Sequence, residues 1–389
     1  MSGDALARWA LPVAMFLGSF AWSFVHVSLP FYIQDVSPFD AATTLRWTGF
    51  IFGISPLITV ITAPISGWLA GSRDPKRAFV WTQGLQAAGF VLMAFARTLG
   101  EIFFARCLLG AMGAVSTFAF IMAGRSGGDV RREVSEIQLG MTLGQVLGPA
   151  AGALTAARLG FRLSFLLSSV MLGLCAWLVA WAVPAGRGRA ASSQARAGTA
   201  SLREVATVCV LVLGCLTQVF FLTAILPQVL PRLGVPLRSM LEVGGLVLLT
   251  DGLAMALGTM AAPRVAEAFG DRRAVPWLLG CSSLFLGVLS LATSVWTFVA
   301  IRFVQVLCIA PVFPLAVAAI AHRASGQVIG FLNSARIGAS FVGPVFATTL
   351  LAFAPPSSVE LSLAAIGLLL VPVVVASGRT GRARERLAP

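Results

Sequence analysis

Only 11% of this 389-residue chain is charged, so an ionisable side chain inside a long apolar run stands out. Burying such a group is expensive, which makes each one a candidate for chemistry. The stretch "LLTDGLAMALG" carries Asp251 about ten residues into its run, roughly 15 Å deep at the helical rise. A carboxylate there can take up a proton, pair a cation, or be held by a neighbouring arginine for structure alone. In "FVHVSLP", His26 stands four residues before Pro30, and an imidazole changes charge near neutral pH. Arg106 and Arg302 each lie six residues into their runs, and Arg336 lies beside Asn333 in "FLNSARIGASFVGP". A guanidinium next to an amide can hold an anionic group. Arg106, Arg302 and Arg336 against Asp251 leave an interior charge near +2, which favours a substrate with a negative group. Gln34, Gln218 and Gln305 could orient a bound molecule, and Trp22, Phe31 and Phe221 could line its apolar side.

Several other chemistries are excluded or disfavoured. The only lysine, Lys76, is followed by arginine, so the phosphate-binding G-K-[ST] sequence does not occur and ATP is not used directly. "GRSGG", from Gly124 to Gly128, fits G-x-S-x-G, yet that motif works on a strand–turn–helix elbow. Here Ser126 follows an apolar run into a basic loop, and the only imidazoles are His26 and His322. The six cysteines include no C-x-x-C pair and support neither a disulfide framework nor a metal site. The chain reads as a non-enzyme with no cofactor and no metal.

The elements that must hold these residues follow from the solvent. Hydrophobic residues make up 58% of the chain, and mean hydropathy is +0.90. Apolar runs of about 20 residues, each enough to cross a bilayer, recur along its whole length. They predict twelve helices near 9–33, 44–70, 77–97, 100–124, 134–158, 161–184, 204–230, 241–263, 274–293, 296–321, 326–352 and 358–377. The first is too long for a signal peptide and reads as a retained span. A net charge of +13 would suit nucleic acid, but 19 of the 28 cations fall on the N-terminal side of the spans and six on the other. That bias places both termini in the cytoplasm and excludes nucleic acid as the partner. The expected setting is a bacterial plasma membrane, the inner one where there are two.

A polar, Arg- and Ser-rich stretch divides the helices six and six: a bundle at 1–184, a cytoplasmic linker at 185–203, and a bundle with a short basic tail at 204–389. The halves repeat. Lys76 recurs as Arg272 and Arg106 as Arg302, both 196 residues on; Pro30 recurs as Pro227 and Pro149 as Pro344, 197 and 195 residues on. The expected fold class is all-α, integral to the membrane, with two pseudo-symmetric six-helix bundles around a central cavity.

"GWLAGSRDPKR", "RCLLGAMGA" and "GQVLGPAAGA" resemble the loop, helix-4 arginine and helix-5 antiporter motifs of the major facilitator superfamily, in particular its 12-helix drug:proton antiporters. The resemblance implies a proton-coupled role for Arg106 and gating or packing roles for Gly67, Asp74, Lys76, Arg77, Gly144, Gly148, Pro149 and Gly152, echoed by Glu267, Gly343 and Pro344. The loop motif departs from the family where Gly71 replaces an acid and Asp74 a glycine; the second copy, "PRVAEAFGDRR", keeps Glu267 and Gly270 there. The glycine stripe from Gly140 to Gly152 suggests a tight seal between the halves. The functional expectation is secondary active transport: proton-coupled export of an amphipathic small molecule by a monomer in alternating access. The alternative is a carrier of an anionic metabolite, siderophore or lysolipid.

Overall fold

A computed structural model describes residues 3–72, 74–113, 115–124, 130–183, 201–321 and 326–385. Ser126, His322 and most of the linker lie outside the described residues, as do the surroundings of Gly67. The described chain is helical: α1 (Gly3–His26), α2 (Ser28–Val36), α3 (Ala41–Ser72), α4 (Pro75–Phe95), α5 (Leu99–Ala111), α6 (Val115–Gly124) and α7 (Val130–Ala182) precede the linker. After it come α8 (Leu202–Arg232), α9 (Met240–Phe269), α10 (Asp271–Leu289), α11 (Val295–Ile309), α12 (Val312–Ala321), α13 (Gly326–Leu351) and α14 (Pro356–Glu385).

These elements fall on the twelve expected spans, with breaks that have local causes. The first span divides into α1 and α2 at Val27, where Pro30 has no N–H for the carbonyl of His26 four residues back. α7 contains the fifth and sixth spans, parted at Gly160, whose φ of 82° and ψ of 168° suit glycine alone. Pro311 separates α11 from α12, which together make the tenth span. Among the described residues ten stretches are long and apolar enough to cross a membrane. The 51-residue stretch Arg132–Ala182 has length for two, and the shorter Arg273–Leu289 completes the set. Polar caps stand where spans begin: Asp74 accepts from the Lys76 amide, Thr98 from Glu101, and Ser201 forms a reciprocal box with Glu204. Large apolar side chains such as Trp81, Phe104, Trp181 and Trp277 remain exposed, as lipid-facing surfaces require. This is an integral membrane protein.

The chain forms two compact units, residues 1–192 with 236–249, and residues 193–235 with 250–389. The start of α9 therefore groups with the first unit rather than dividing cleanly at the linker. Gly245 makes this possible, because a Cβ there would stand 2.5 Å from that of Ala153.

In the first unit, α1 packs along α7 over a core that includes Met15, Phe118, Ile137 and Val179. The glycine stripe faces this helix, which corrects its reading as a seal between halves. A Cβ at Gly144 would lie 2.6 Å from the Phe16 carbonyl oxygen, and one at Gly148 would lie 2.7 Å from Ser23 Cβ. At Gly152 it would collide with the Phe24 carbonyl. In the second unit α8 packs on α13 and α14 over Val212, Leu279, Ile309 and Val312. The echo is looser: Gly343 would reach the Phe221 amide at 3.1 Å, and Gly338 only the end of Leu213 at 3.7 Å. Pro149 and Pro344 both sit inside their helices, α7 and α13.

Candidate functional site

Each unit builds a polar cluster around its buried arginine, and the two clusters are repeat equivalents. In the first, Arg106 of α5 is 3% exposed. Its Nε and Nη2 donate to the carbonyls of Ile51 and Phe52 on α3, each at 3.1 Å, and it lies over the Trp22 ring at 5.5 Å. Ser55 donates its hydroxyl to the Arg106 carbonyl at 2.5 Å. The Trp22 indole donates to Gln86 Oε1 at 3.1 Å, and Gln86 Nε2 donates onward to the Met112 carbonyl. His26 joins this group: Phe52 is its aromatic neighbour at 6.3 Å, and the Trp22 carbonyl and Arg106 are its polar ones.

Adding the repeat offset of 196 to Trp22, Ser55, Gln86 and Arg106 gives Gln218, Asp251, Ser282 and Arg302. These four meet in the second unit. Arg302, fully buried on α11, donates Nε to the Asp251 carboxylate at 3.0 and 3.3 Å. Its Nη1 donates to the Gln218 carbonyl at 2.8 Å and to Gln305 Oε1 at 2.6 Å, and its Nη2 to the Val219 carbonyl at 2.9 Å. Phe221 lies under the guanidinium at 5.3 Å. The Ser282 hydroxyl donates to Gln218 Oε1 at 3.2 Å and receives the Gln305 amide at 2.8 Å, while Gln218 Nε2 donates to Ser283 Oγ. The two clusters thus share a plan but differ in charge. The second contains a carboxylate where the first contains a serine hydroxyl.

The remaining expected residues fall elsewhere. Gln218, Phe221 and Gln305 are buried in the Arg302 network, whereas the sequence suggested that they line a cavity. Arg336 and Asn333 are exposed neighbours on α13; Nε donates to Oδ1 at 3.2 Å, and the guanidinium stands over Phe313 at 5.8 Å. Gln34 is exposed and Phe31 half-buried on α2. Asp74 caps α4 and lies 3.9 Å from the exposed Arg77, while Lys76 Nζ donates to the Val183 carbonyl. Glu267 is exposed near the end of α9, just before Gly270, which opens α10 at a φ of 72°.

Sequence reasoning missed Gln86, Ser282 and Ser283, although the repeat offset pairs the first two. It also missed Glu360, a fully buried acid on α14 that holds both Nη atoms of Arg232 at 3.3 Å. Arg232 is the last residue of α8. That pair is neutral overall; with Arg336 exposed, the expected interior excess of +2 falls to +1, Arg106 and Arg302 against Asp251.

The fold and these clusters can be compared with known proteins. The family model described as Major Facilitator Superfamily matches residues 11–250. The chain belongs to that superfamily. Among solved structures, a bacterial homologue of the human lysosomal transporter Spinster superposes with a TM-score of 0.79 at 12% identity, covering 98% of each chain. The nucleoside transporter NupG gives 0.77 at 11% identity over 95% of this chain and 99% of its own. The human organic anion transporter MFSD10 gives 0.69 at 15% identity over 96% and 100%. At such identities the likeness is one of fold. In sequence, the multidrug resistance protein MdtG of Proteus mirabilis is 30% identical over 98 residues, 25% of this chain and 24% of the relative. The uncharacterized MFS-type transporter YuxJ of Bacillus subtilis is 26% identical over 130 residues, 33% of each. The matched stretches span between a quarter and a third of these relatives. The superfamily is one of transporters rather than enzymes.

Proposed function

We propose that this transporter exports an amphipathic small molecule in exchange for protons, its halves alternating access to the two sides of the membrane. The reading rests on Asp251. It is a buried carboxylate eleven residues into α9, paired with Arg302 where the first half has only Ser55. Protonation would neutralise Asp251 and leave Arg302 as an uncompensated buried cation, a state that costs several kcal/mol unless the surroundings rearrange. A proton arriving at this pair can therefore change the relative stability of two conformations, which is what coupling requires. The partial likeness to MdtG and the antiporter-type stripe on α7 favour export and exchange.

The reading is tested in proteoliposomes with an imposed pH gradient and ethidium as probe. Accumulation should follow the gradient, collapse with a proton ionophore, and be lost in Asp251→Asn. Gradient-independent transport at an unchanged rate in that variant would remove the coupling claim.

A second reading, transport of an anionic metabolite, siderophore or lysolipid, is favoured by the exposed Arg336 with Asn333 and Phe313 beside it. It predicts that Arg336→Ala weakens binding of anionic solutes specifically. Unchanged binding of all of them would end it.

A further inference from the structure

The ends of the first unit's spans frame an open pocket of about 510 Å³, lined by Tyr32, Asp35, Arg97, Leu159, Phe161 and Arg162 among others. It lies where α2 ends, where α4 passes into α5, and where Gly160 parts the fifth and sixth spans. Its volume is that of a small-molecule pocket. The Tyr32 hydroxyl donates to the Ala96 carbonyl at 2.5 Å and its ring packs against Phe161 and Phe165. Glu101, exposed on α5, accepts the Arg97 amide at 2.6 Å. Among the described residues, the side chains of Asp35, Arg97 and Arg162 have no ion-pair partner.

The repeat shows what this place becomes when the protein fills it itself. Asp35 plus 197, the offset of Pro30 and Pro227, is Arg232, and Glu360 stands near the start of the twelfth span as Arg162 stands near the start of the sixth. In the second unit the residues at these places carry reversed charges and close on each other as the buried, two-pronged Arg232–Glu360 pair. In the first unit the acid and the base stand apart, both exposed, with the pocket bounded by both.

We infer that this pocket binds a zwitterionic headgroup, that of an aminophospholipid, with its phosphate on Arg97 and Arg162 and its ammonium on Asp35. The two arginines offer forked donors that suit a phosphate. Asp35 rejects a purely anionic headgroup and favours an ammonium that can donate hydrogen bonds over a quaternary one that cannot. The source is a lipid because the site lies at the ends of membrane spans, where headgroups lie. Leu159 on its lining and the neighbouring Leu163 and Phe95 are exposed and apolar, placed to meet the acyl chains. The cation bias of the loops assigns these ends to the outer leaflet.

The test is native mass spectrometry of the protein released from bilayers of mixed phosphatidylethanolamine, phosphatidylcholine and phosphatidylglycerol. The wild type should retain phosphatidylethanolamine over the other two by about tenfold, the discrimination that one charge-assisted hydrogen bond supplies. Arg162→Ala should lose that preference. The double variant Asp35→Arg with Arg162→Glu reverses both charges; it should fold and lose it as well. Soluble glycerophosphoethanolamine in excess should lower the retained lipid in the wild type only. Equal retention of all three lipids by the wild type, or an unaltered preference in the double variant, would overturn the proposal. So would tight binding of the soluble zwitterion with no lipid retained. None of these outcomes depends on proton coupling at Asp251.

Discussion

Asp251 and Arg302 meet at 3.0 Å, both nearly or fully buried, at the place where the first half sets Ser55 against Arg106. The repeat therefore preserves the buried cation while changing its partners: Arg106 donates to carbonyls of α3, and Arg302 to carbonyls of α8 and to Asp251. Arg302 has a carboxylate, an amide oxygen and two carbonyls; the Arg106 guanidinium donates to two carbonyls. The second half sets a carboxylate against its buried arginine; the first sets His26 beside its own.

That pairing predicts a non-additive stability pattern. Arg302→Gln leaves Asp251 buried without its counter-charge and should destabilise the protein by about 3–5 kcal/mol. Adding Asp251→Asn to it should recover much of the loss, which thermal unfolding of the four proteins in detergent would measure as a double-mutant cycle. Additive losses would mean that the two residues are independent.

The α1–α7 contact predicts opposite outcomes for two glycines of one helix. Gly152→Ala would drive a methyl group into the Phe24 carbonyl and should sharply reduce folded yield. Gly173→Ala meets open space and should be neutral, or stabilising by up to about 1 kcal/mol through helix propensity. Gly148→Leu belongs with the first, because Ser23 and the Phe20 carbonyl stand against it. Size-exclusion profiles of the three variants decide the matter.

Asp40 predicts a pH effect confined to acid. Its carboxylate accepts the Thr43 hydroxyl at 2.6 Å and the amides of Ala42 and Thr43, which hold it below the usual carboxylate range. A group lowered in the folded state contributes stability above its unfolded pKa, and that contribution is lost as pH falls through the folded one. Asp40→Asn should therefore speed amide exchange at Ala42 and Thr43 at neutral pH. The difference from wild type should fade once the pH falls below about 4. A difference that persists in strong acid would contradict this account of the cap.

The sequence made the spans legible because lipid leaves each helix long, apolar and bounded by polar caps. It also made the halves legible, since Arg106 and Arg302, or Pro149 and Pro344, keep their spacing. What it concealed was direction. Glycines four apart declare a close approach, but only the packed chain says that Phe16, Ser23 and Phe24 are what they approach. Gln218 and Gln305 look like cavity residues in an apolar run; the structure turns the Gln305 amide oxygen toward Arg302 and the Gln218 side chain toward Ser282 and Ser283, because buried polar groups need partners. Glu360 was obscured by standing near the start of its span, where an acid ordinarily meets water.

The central claim is that Asp251 carries the coupled proton, and it is tested most directly by measuring proton and ethidium movement together. Proteoliposomes containing a trapped pH dye should show protons moving against ethidium in the wild type. In Asp251→Asn the proton signal should vanish while ethidium binding persists. If the variant moves protons against ethidium as the wild type does, Asp251 is not the coupling group.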